Sequence, residues 1–438
     1  MKSLQQRVAE LRPSLPVAIA RSLAPFVGAV LLAMFIDTVI GPAVGATWTK
    51  ILLDVGIAIL LAGSLNVVNG YAGQFSIGHA GFMLVGGYAA AWLTFYGSIH
   101  WFDTKEAFGG FMGNGQLLFL AGCMLGGVIA SVFGVLVGLP SLRLRGDYLA
   151  IVTLGFGEIV RVLGQITQRQ PKSLAAVKDQ TMFELSNNLG GAEGFSQIPG
   201  YTRLFFVYAF ALILLVLIYR LKYSSKGRAL LAIRENEIAA EAMGVDTTRS
   251  KVVAFVFSAF FAGIGGALYA HQVGALDPKE LGFQKSFDLV IIVVIGGMGS
   301  ITGIVLGASI LVILPELFRE FSDYRMIVYA LALIVVMISR PQGIMGVQEL
   351  WELPWADGIR NLRTKPNKLA VAALIAGLVG VFAAGIVLAP AAIVLGVLGV
   401  RWSRAHDESG RSLALAGIVF GVVGCAVVLL FLHRAGIL

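Results

Sequence analysis

Apolar stretches of membrane-spanning length recur along almost the whole chain, and this recurrence constrains the fold more than any other feature. About 20 apolar residues in a helix cross a bilayer core. Candidate spans cover residues 24–40, 51–68, 75–95, 117–139, 148–166, 201–219, 252–273, 287–317 and 326–338, then 369–388, 391–400 and 413–432. Only 13% of residues are charged, against about 25% in soluble domains, and the mean hydropathy is +0.84. Backbone polar groups in hydrocarbon must be paired within the segment. The spacing therefore predicts an all-α, polytopic transmembrane helical bundle seated in a lipid bilayer.

Charge sets the expected orientation. The net charge of +8 comes from basic residues between apolar segments, as the positive-inside rule requires, and no basic run is interleaved with aromatics for nucleic acid. Three clusters are expected on the cytoplasmic side: Arg143 with Arg145; Lys222, Lys226, Arg228, Arg234, Arg249 and Lys251; and Arg340, Arg360, Arg363, Lys365 and Lys368. Lys2, Arg7, Arg12 and Arg21 precede the first span with no small-residue cleavage pattern after it. That reads as an uncleaved first helix with a cytoplasmic N-terminus. Residues 96–116 and 167–200 then fall outside.

Segment 287–317 is too long for one simple pass, and Gly296-Gly297-Met298-Gly299-Ser300 interrupts it. A break there gives two passes and brings the third basic cluster inside. Broken apolar segments in transporters often border the solute path, which makes Gly297, Gly299 and Ser300 candidates. Residues 69–91 (NGYAGQFSIGHAGFMLVGGYAAA) offer a second such segment. Gly73, Gln74, Ser76, Gly78 and His79 either border the path or pack helices tightly with local polar pairing. The two glycine runs resemble each other, since each follows one apolar helix and opens another.

Glu158 and Arg161 share a helix face and are expected to pair near the outer interface; the rival reading is a charge lining the path. Between two spans, residues 229–244 (ALLAIRENEIAAEAMG) read as one short amphipathic helix stopped by Gly244. Leu231, Ile238 and Ala242 lie on one face, with Arg234, Glu237 and Glu241 mostly on another. That mixed, partly acidic polar face suits a protein partner better than lipid headgroups.

Absences narrow the chemistry. There is no GxxxxGK[ST] phosphate loop, no HExxH and no GxSxG, so neither ATP hydrolysis of that kind nor a catalytic centre is expected. Cys123 and Cys425 lie in apolar segments without Cys or His at ligand spacing, so no metal site is expected.

RLRGDYLAIVTLGFGEIVR at 143–161 closely resembles the signature of LivM-type permeases of branched-chain amino acid ABC transporters. NGYAGQFSIGHAGF (69–82), GRALLAIRENEIAAEAMGV (227–245), IGGMGS (295–300) and RPQGIMG (340–346) agree in order and spacing. The resemblance covers about residues 51–346. It implies a second related permease subunit, two cytoplasmic P-loop ATPases that hold ATP and Mg, and an external solute-binding protein, in a bacterial plasma (inner) membrane. The cytoplasmic helix would be the coupling helix, with Arg234, Glu237, Ala239, Ala240, Glu241 and Gly244 in the ATPase-coupling region. The family's EAA-xxx-G pattern is shifted here, because the acid at Glu237 stands one position early. The implied cargo is Leu, Ile, Val or a related small solute, and no cofactor is expected in this chain. The organisation expected is a permease domain at 1–346, a cytoplasmic linker at 347–368 and an accessory C-terminal transmembrane module at 369–438. That module's GRSLALAGIVFGVVG (410–424) resembles small bacterial helical-hairpin modules. The alternative is an ion-gradient-driven secondary transporter or channel, which needs ionisable residues at mid-membrane. Asp37, Asp54, Glu158 and Asp288 all fall near probable span ends.

Overall fold

The computed structural model describes residues 15–141, 148–171, 174–317, 342–346 and 349–352, and 330, 334 and 338 singly. It divides into two units, Met1–Val347 and Gln348–Leu438. In the second, the description covers only the turn at Leu350–Glu352. Arg143, Arg145, Arg340, most of the span 326–338, most of the linker and all of 369–438 lie outside the described residues.

Unit one is built from α1 (Leu15–Phe35), α2 (Gly41–Asn66), α3 (His79–Phe102), α4 (Asn114–Ser141), α5 (Tyr148–Ile166), α6 (Leu174–Lys178), α7 (Leu204–Lys222), α8 (Ser225–Glu235), α9 (Glu237–Ala242), α10 (Thr247–Val273), α11 (Phe283–Gly296) and α12 (Ile301–Leu317). The fold is all-α and polytopic, and among the described residues six helical runs are long and apolar enough to cross a membrane.

The first of these runs, Ser22–Tyr71, has 50 residues, or about 75 Å at helical rise. A bilayer core is about 30 Å thick, so the run must fold back. It does so at Gly45, whose φ of 75° no L side chain adopts readily. Helix α7 measures the reversal. Arg220, near the end of α7, touches Ser22 and Phe26 in α1, and Asp37 accepts from the Phe205 amide at its start. Going down again, the Tyr208 hydroxyl donates to Leu52 O, and Gly63 packs on Leu214. The passes 24–40 and 51–68 are thus separate and antiparallel, as expected.

All other helices can be placed by the same logic. Helices α8 and α9 follow α7 and precede α10, so they mark one end of the bundle. At the opposite end the loops after α3 and α5 meet. The Tyr96 hydroxyl donates to Asn188 O at 2.5 Å, Lys178 pairs with Asp103, and Phe195 and Leu276 exchange backbone hydrogen bonds. The expected sidedness of 96–116 and 167–200 holds relative to α8 and α9.

Helices α3, α4 and α10 pack extensively on one another. Lipid gives no hydrophobic drive for helix association, so dispersion at close range must supply it. Gly86 supplies that range: a Cβ there would lie 2.2 Å from the Gly263 Cα. Leu136 on α4, and Ile151, Ile159 and Ile166 on α5, are exposed apolar groups suited to lipid.

Segment 287–317 breaks at its glycines, as the sequence suggests. Helices α11 and α12 run antiparallel, with Gly296 against Gly303 and Ile292 against Gly307. Their 14 and 17 residues give only about 21 and 26 Å. Two expectations need correction. Helix α3 starts at His79, not 75, because residues 73–78 are non-helical and held by side chains. The single helix expected at 229–244 is two helices, because Asn236 leaves helical geometry (φ −159°) and caps α9 by accepting from the Ala239 amide. The face shared by Leu231 and Ile238 is broken there, and Ile238 is 65% exposed.

Candidate functional site

The site is built where two helices stop short. The last turn of α2 widens into a π-helix at Val67–Tyr71, and the chain turns at Gly73 and runs without helix to α3. Such backbone is tolerated at membrane depth only under protein cover, and the cover is made by side chains. Asn69 Oδ1 accepts from the Ser76 amide at 3.1 Å, while Asn69 Nδ2 donates to Ser76 O at 3.4 Å. The Ile77 amide donates to Thr153 Oγ1 at 3.2 Å, and the Ala80 amide to Ser286 Oγ at 3.0 Å. His79 is buried and hydrogen-bonded to Ser64 at 2.9 Å. Gly78 lies against the Thr153 carbonyl, the Gln74 side chain donates to Ala72 O at 3.4 Å, and the Gln74 amide donates to Val68 O at 3.0 Å.

The second break lies against the first. Asn66 Oδ1 accepts from the Gly299 amide at 2.9 Å, and Gly70 touches Gly299 so closely that a Cβ on Gly70 would stand 2.5 Å from that nitrogen. Ser300 is buried, and its Oγ accepts from the Gly303 amide, capping α12. Gly297 (φ 113°) packs on Gly346. The described part of the RPQGIMG motif closes the end of α11: the Ile344 and Met345 amides donate to Ile295 O and Gly296 O at 2.7 and 3.3 Å. These carbonyls are among those that a helix end leaves without intrahelical partners.

Arg234 on α8 joins both breaks. Its Nη1 donates to Gly70 O at 2.7 Å and lies 3.5 Å from Met298 O. Its stem presses on Gly73, and its guanidinium on Gly299. Residues singled out separately, as path and as coupling region, therefore form one cluster. Of the others, Ala240 is buried, while Ala239, Glu241 and Gly244 are exposed with Ile238 and Met243.

Glu237 on α9 pairs with Lys251 on α10. The Lys251 side chain is 1% exposed, and an ammonium left unpaired there is costly. Glu237→Gln is expected to destabilise the protein by about 3–5 kcal/mol, the usual cost of breaking a buried pair. Adding Lys251→Met should recover most of that loss. Thermal unfolding of the single and double variants in detergent checks this; a double variant no better than Glu237→Gln would deny the pair its role.

A cavity of about 470 Å³ lies among α2, α10, α11 and α12, with Asp54, Lys285 and Asp288 in its wall. Nothing in the sequence pattern joins Asp54 to Lys285 and Asp288, more than 200 positions further along the chain. Just outside, Glu158 accepts from the Phe283 amide at 3.2 Å, a carboxylate at a helix N-terminus. Glu158 also pairs with Arg161 at 2.6 Å, the ion pair expected. Neither the eight path candidates nor the coupling residues line this cavity. Among the described residues no three His, Cys, Asp or Glu converge as a metal site.

A family model described as the permease component of branched-chain amino acid transport systems matches residues 47–337. A second, described as a domain of unknown function, matches residues 369–431. The chain is similar to the high-affinity branched-chain amino acid transport system permease protein LivM of Salmonella typhimurium, at 39% identity over 306 residues, covering 66% of this chain and 68% of the relative. The Escherichia coli LivM matches at 39% over 307 residues with the same coverage. The Escherichia coli permease protein LivH matches at 26% over 299 residues, 66% of this chain and 92% of the relative. No solved structure matches the chain. The family model covers well over half of this multi-pass chain, including both glycine breaks and the Arg234 helix, and the chain belongs to the family of branched-chain amino acid transport system permease components.

Proposed function

We propose that the chain is the membrane-spanning permease of an ATP-driven importer for leucine, isoleucine, valine or related small solutes. It forms the path with a second related permease. Two cytoplasmic P-loop ATPases bind ATP and Mg, and an external binding protein delivers the solute. The chain has no ATPase site of its own and works without a cofactor. It lies in a bacterial inner membrane with its N-terminus and α8–α9 in the cytoplasm. Residues 369–438 act as an accessory module that import does not need.

The observation that carries this reading is the Arg234 bridge. Exposed Ile238 and Met243 on and after α9 give an ATPase an apolar foothold. A push on α8–α9 moves the Gly70 and Met298 carbonyls through Arg234, and moves α10 through Glu237–Lys251. Glycine breaks let α2 and α11 answer by pivoting, because their ends are held by a few hydrogen bonds rather than by continuous helix. Asp54 and Asp288 beside one cavity favour the ion-gradient alternative, since such transporters use intramembrane carboxylates.

A mild-detergent pull-down of the tagged protein from native membranes, read by mass spectrometry, tests the assembly. A P-loop ATPase and a second permease are expected to co-elute. Both should persist when residues 365–438 are deleted, and the ATPase should be lost when residues 229–244 become a Gly/Ser linker of equal length. Elution alone, under conditions where a control importer stays whole, would overturn the assignment.

A further inference from the structure

We infer that the cavity among α2, α11 and α12 is a binding site for a zwitterionic aliphatic amino acid, with Lys285 receiving the carboxylate, Asp288 the ammonium, and the apolar wall the side chain. This deepens the importer reading and rests on it.

The dimensions fit. Small-molecule sites usually enclose about 300–1,000 Å³, and this cavity holds about 470 Å³. Most of its wall is aliphatic, with Leu61, Ile292, Leu311 and Val312 among the lining groups. Apolar walls alone would take any hydrocarbon tail. The charges make the wall selective.

Ionisable groups within membrane helices are costly, and they persist where they face a wet cavity or a partner. Lys285 and Asp288 stand three positions apart on α11, so their side chains are neighbours on one face. Among the described residues they close no salt bridge with each other. The Lys285 ammonium instead lies 5.6 Å from the centre of the Tyr269 ring, an attraction that holds it without using its donors on an acid. Asp54, across the cavity on α2, is fixed by one donor, Gln272 Nε2 at 2.7 Å from Oδ1. The wall thus offers a cation and an anion side by side, with a second carboxylate opposite. A neutral amide would leave both charges unpaired, and a simple anion would leave Asp288 so. A zwitterion pairs both at once, with its own charges on adjacent atoms of one carbon.

Position supports the same reading. The cavity lies toward the bundle end opposite α8–α9, because Asp54 precedes the α2 break by four turns and Lys285 stands in the first turn of α11. Leu61 and Ile292 in its wall lie about one turn before Asn66 and Gly296, where the two breaks lock together. The two helices that hold the solute are therefore the two that Arg234 grips at their other ends.

The test uses the complete importer, with its second permease, ATPases and binding protein, in proteoliposomes, and the permease–ATPase complex without binding protein in detergent. In proteoliposomes Lys285→Gln and Asp288→Asn are each expected to cut ATP-driven leucine uptake about tenfold or more, the effect of losing one charged hydrogen bond. Lys285→Arg, which keeps the charge, should retain most of the uptake. In detergent, without binding protein or ATP, radiolabelled leucine should bind. Excess leucine should compete, but leucinamide (no carboxylate) and 4-methylpentanoate (no ammonium) should not. Near-wild-type uptake and binding in both charge-removing variants would overturn the site while leaving the importer reading intact. Equal loss in Lys285→Arg and Lys285→Gln would also overturn it, because packing rather than charge would then be at stake. Charge-dependent leucine binding by a complex that shows no ATP-driven uptake would uphold the site and overturn the importer.

Discussion

Arg234→Ala is expected to lower ATP-driven uptake by about tenfold or more while the partners remain assembled and ATP is still hydrolysed. Arg234 donates from α8 to Gly70 O at 2.7 Å and reaches Met298 O at 3.5 Å. A hydrogen bond from a charged donor contributes about 1.5–3 kcal/mol, and about 1.4 kcal/mol is a factor of ten in an equilibrium. The loss is expected to fall on the linkage, since the proposed ATPase foothold at Ile238 and Met243 is untouched. Hydrolysis should therefore continue without transport. Arg234→Lys should rescue only part of the uptake, because an ammonium is a point donor and cannot span two carbonyls as a planar guanidinium does. The paired measurement is uptake and phosphate release on the same proteoliposomes. Parallel loss of both would place Arg234 in ATPase docking instead.

The second large effect is expected at Gly70. A Cβ there would stand 2.0 Å from Asn66 Oδ1 and 2.5 Å from the Gly299 nitrogen. Gly70→Ala must push Asn66 aside and break its bond to Gly299, so the two breaks separate. Overpacking costs about 1–3 kcal/mol, and the orphaned Gly299 amide adds about 1–3 kcal/mol more. A lower thermal midpoint and loss of uptake are both expected. Gly155→Ala on α5 is the control, because a Cβ there meets nothing within 4 Å. Relieving a helix-interior glycine should leave it neutral or stabilised by about 0.5–1 kcal/mol. A Gly70→Ala protein as stable and active as Gly155→Ala would show that the breaks do not need their close contact.

Much of this arrangement was legible in the chain, for local reasons. Apolar length and charge placement give the separate passes at 24–40 and 51–68 and the shared side of the loops after α3 and α5. The glycines at 296–299 mark the α11–α12 break, because helix continuity is a property of neighbouring residues. Local reading misled at residues 73–78, where Phe75 and Ile77 look helical by hydropathy. The bonds that hold them extended come from Asn69 nearby and from Thr153, 76 positions away. Asn236 divides the helix expected at 229–244 by a capping bond that an Asn two positions after Arg234 could have suggested.

What hydropathy and motif spacing miss is convergence. Arg234 meets Gly70 across 164 positions and Met298 across 64. Asp54 shares a cavity wall with Lys285 and Asp288 only because α2 and α11 pack side by side. Single residues near span ends carry no mark of the cavity they will share. Helix ends and glycine breaks were visible singly; their mutual closure is a product of packing.

The most direct test of the central claim is uptake of radiolabelled leucine by proteoliposomes that contain this chain with its second permease, ATPases and binding protein. The two conditions are ATP supplied to the ATPase side without a gradient, and an imposed proton or sodium gradient without ATP. The account predicts concentrative uptake with ATP alone, abolished by Arg234→Ala, and none with either gradient alone. Uptake driven by a gradient without ATP, and indifferent to Arg234→Ala, would contradict it.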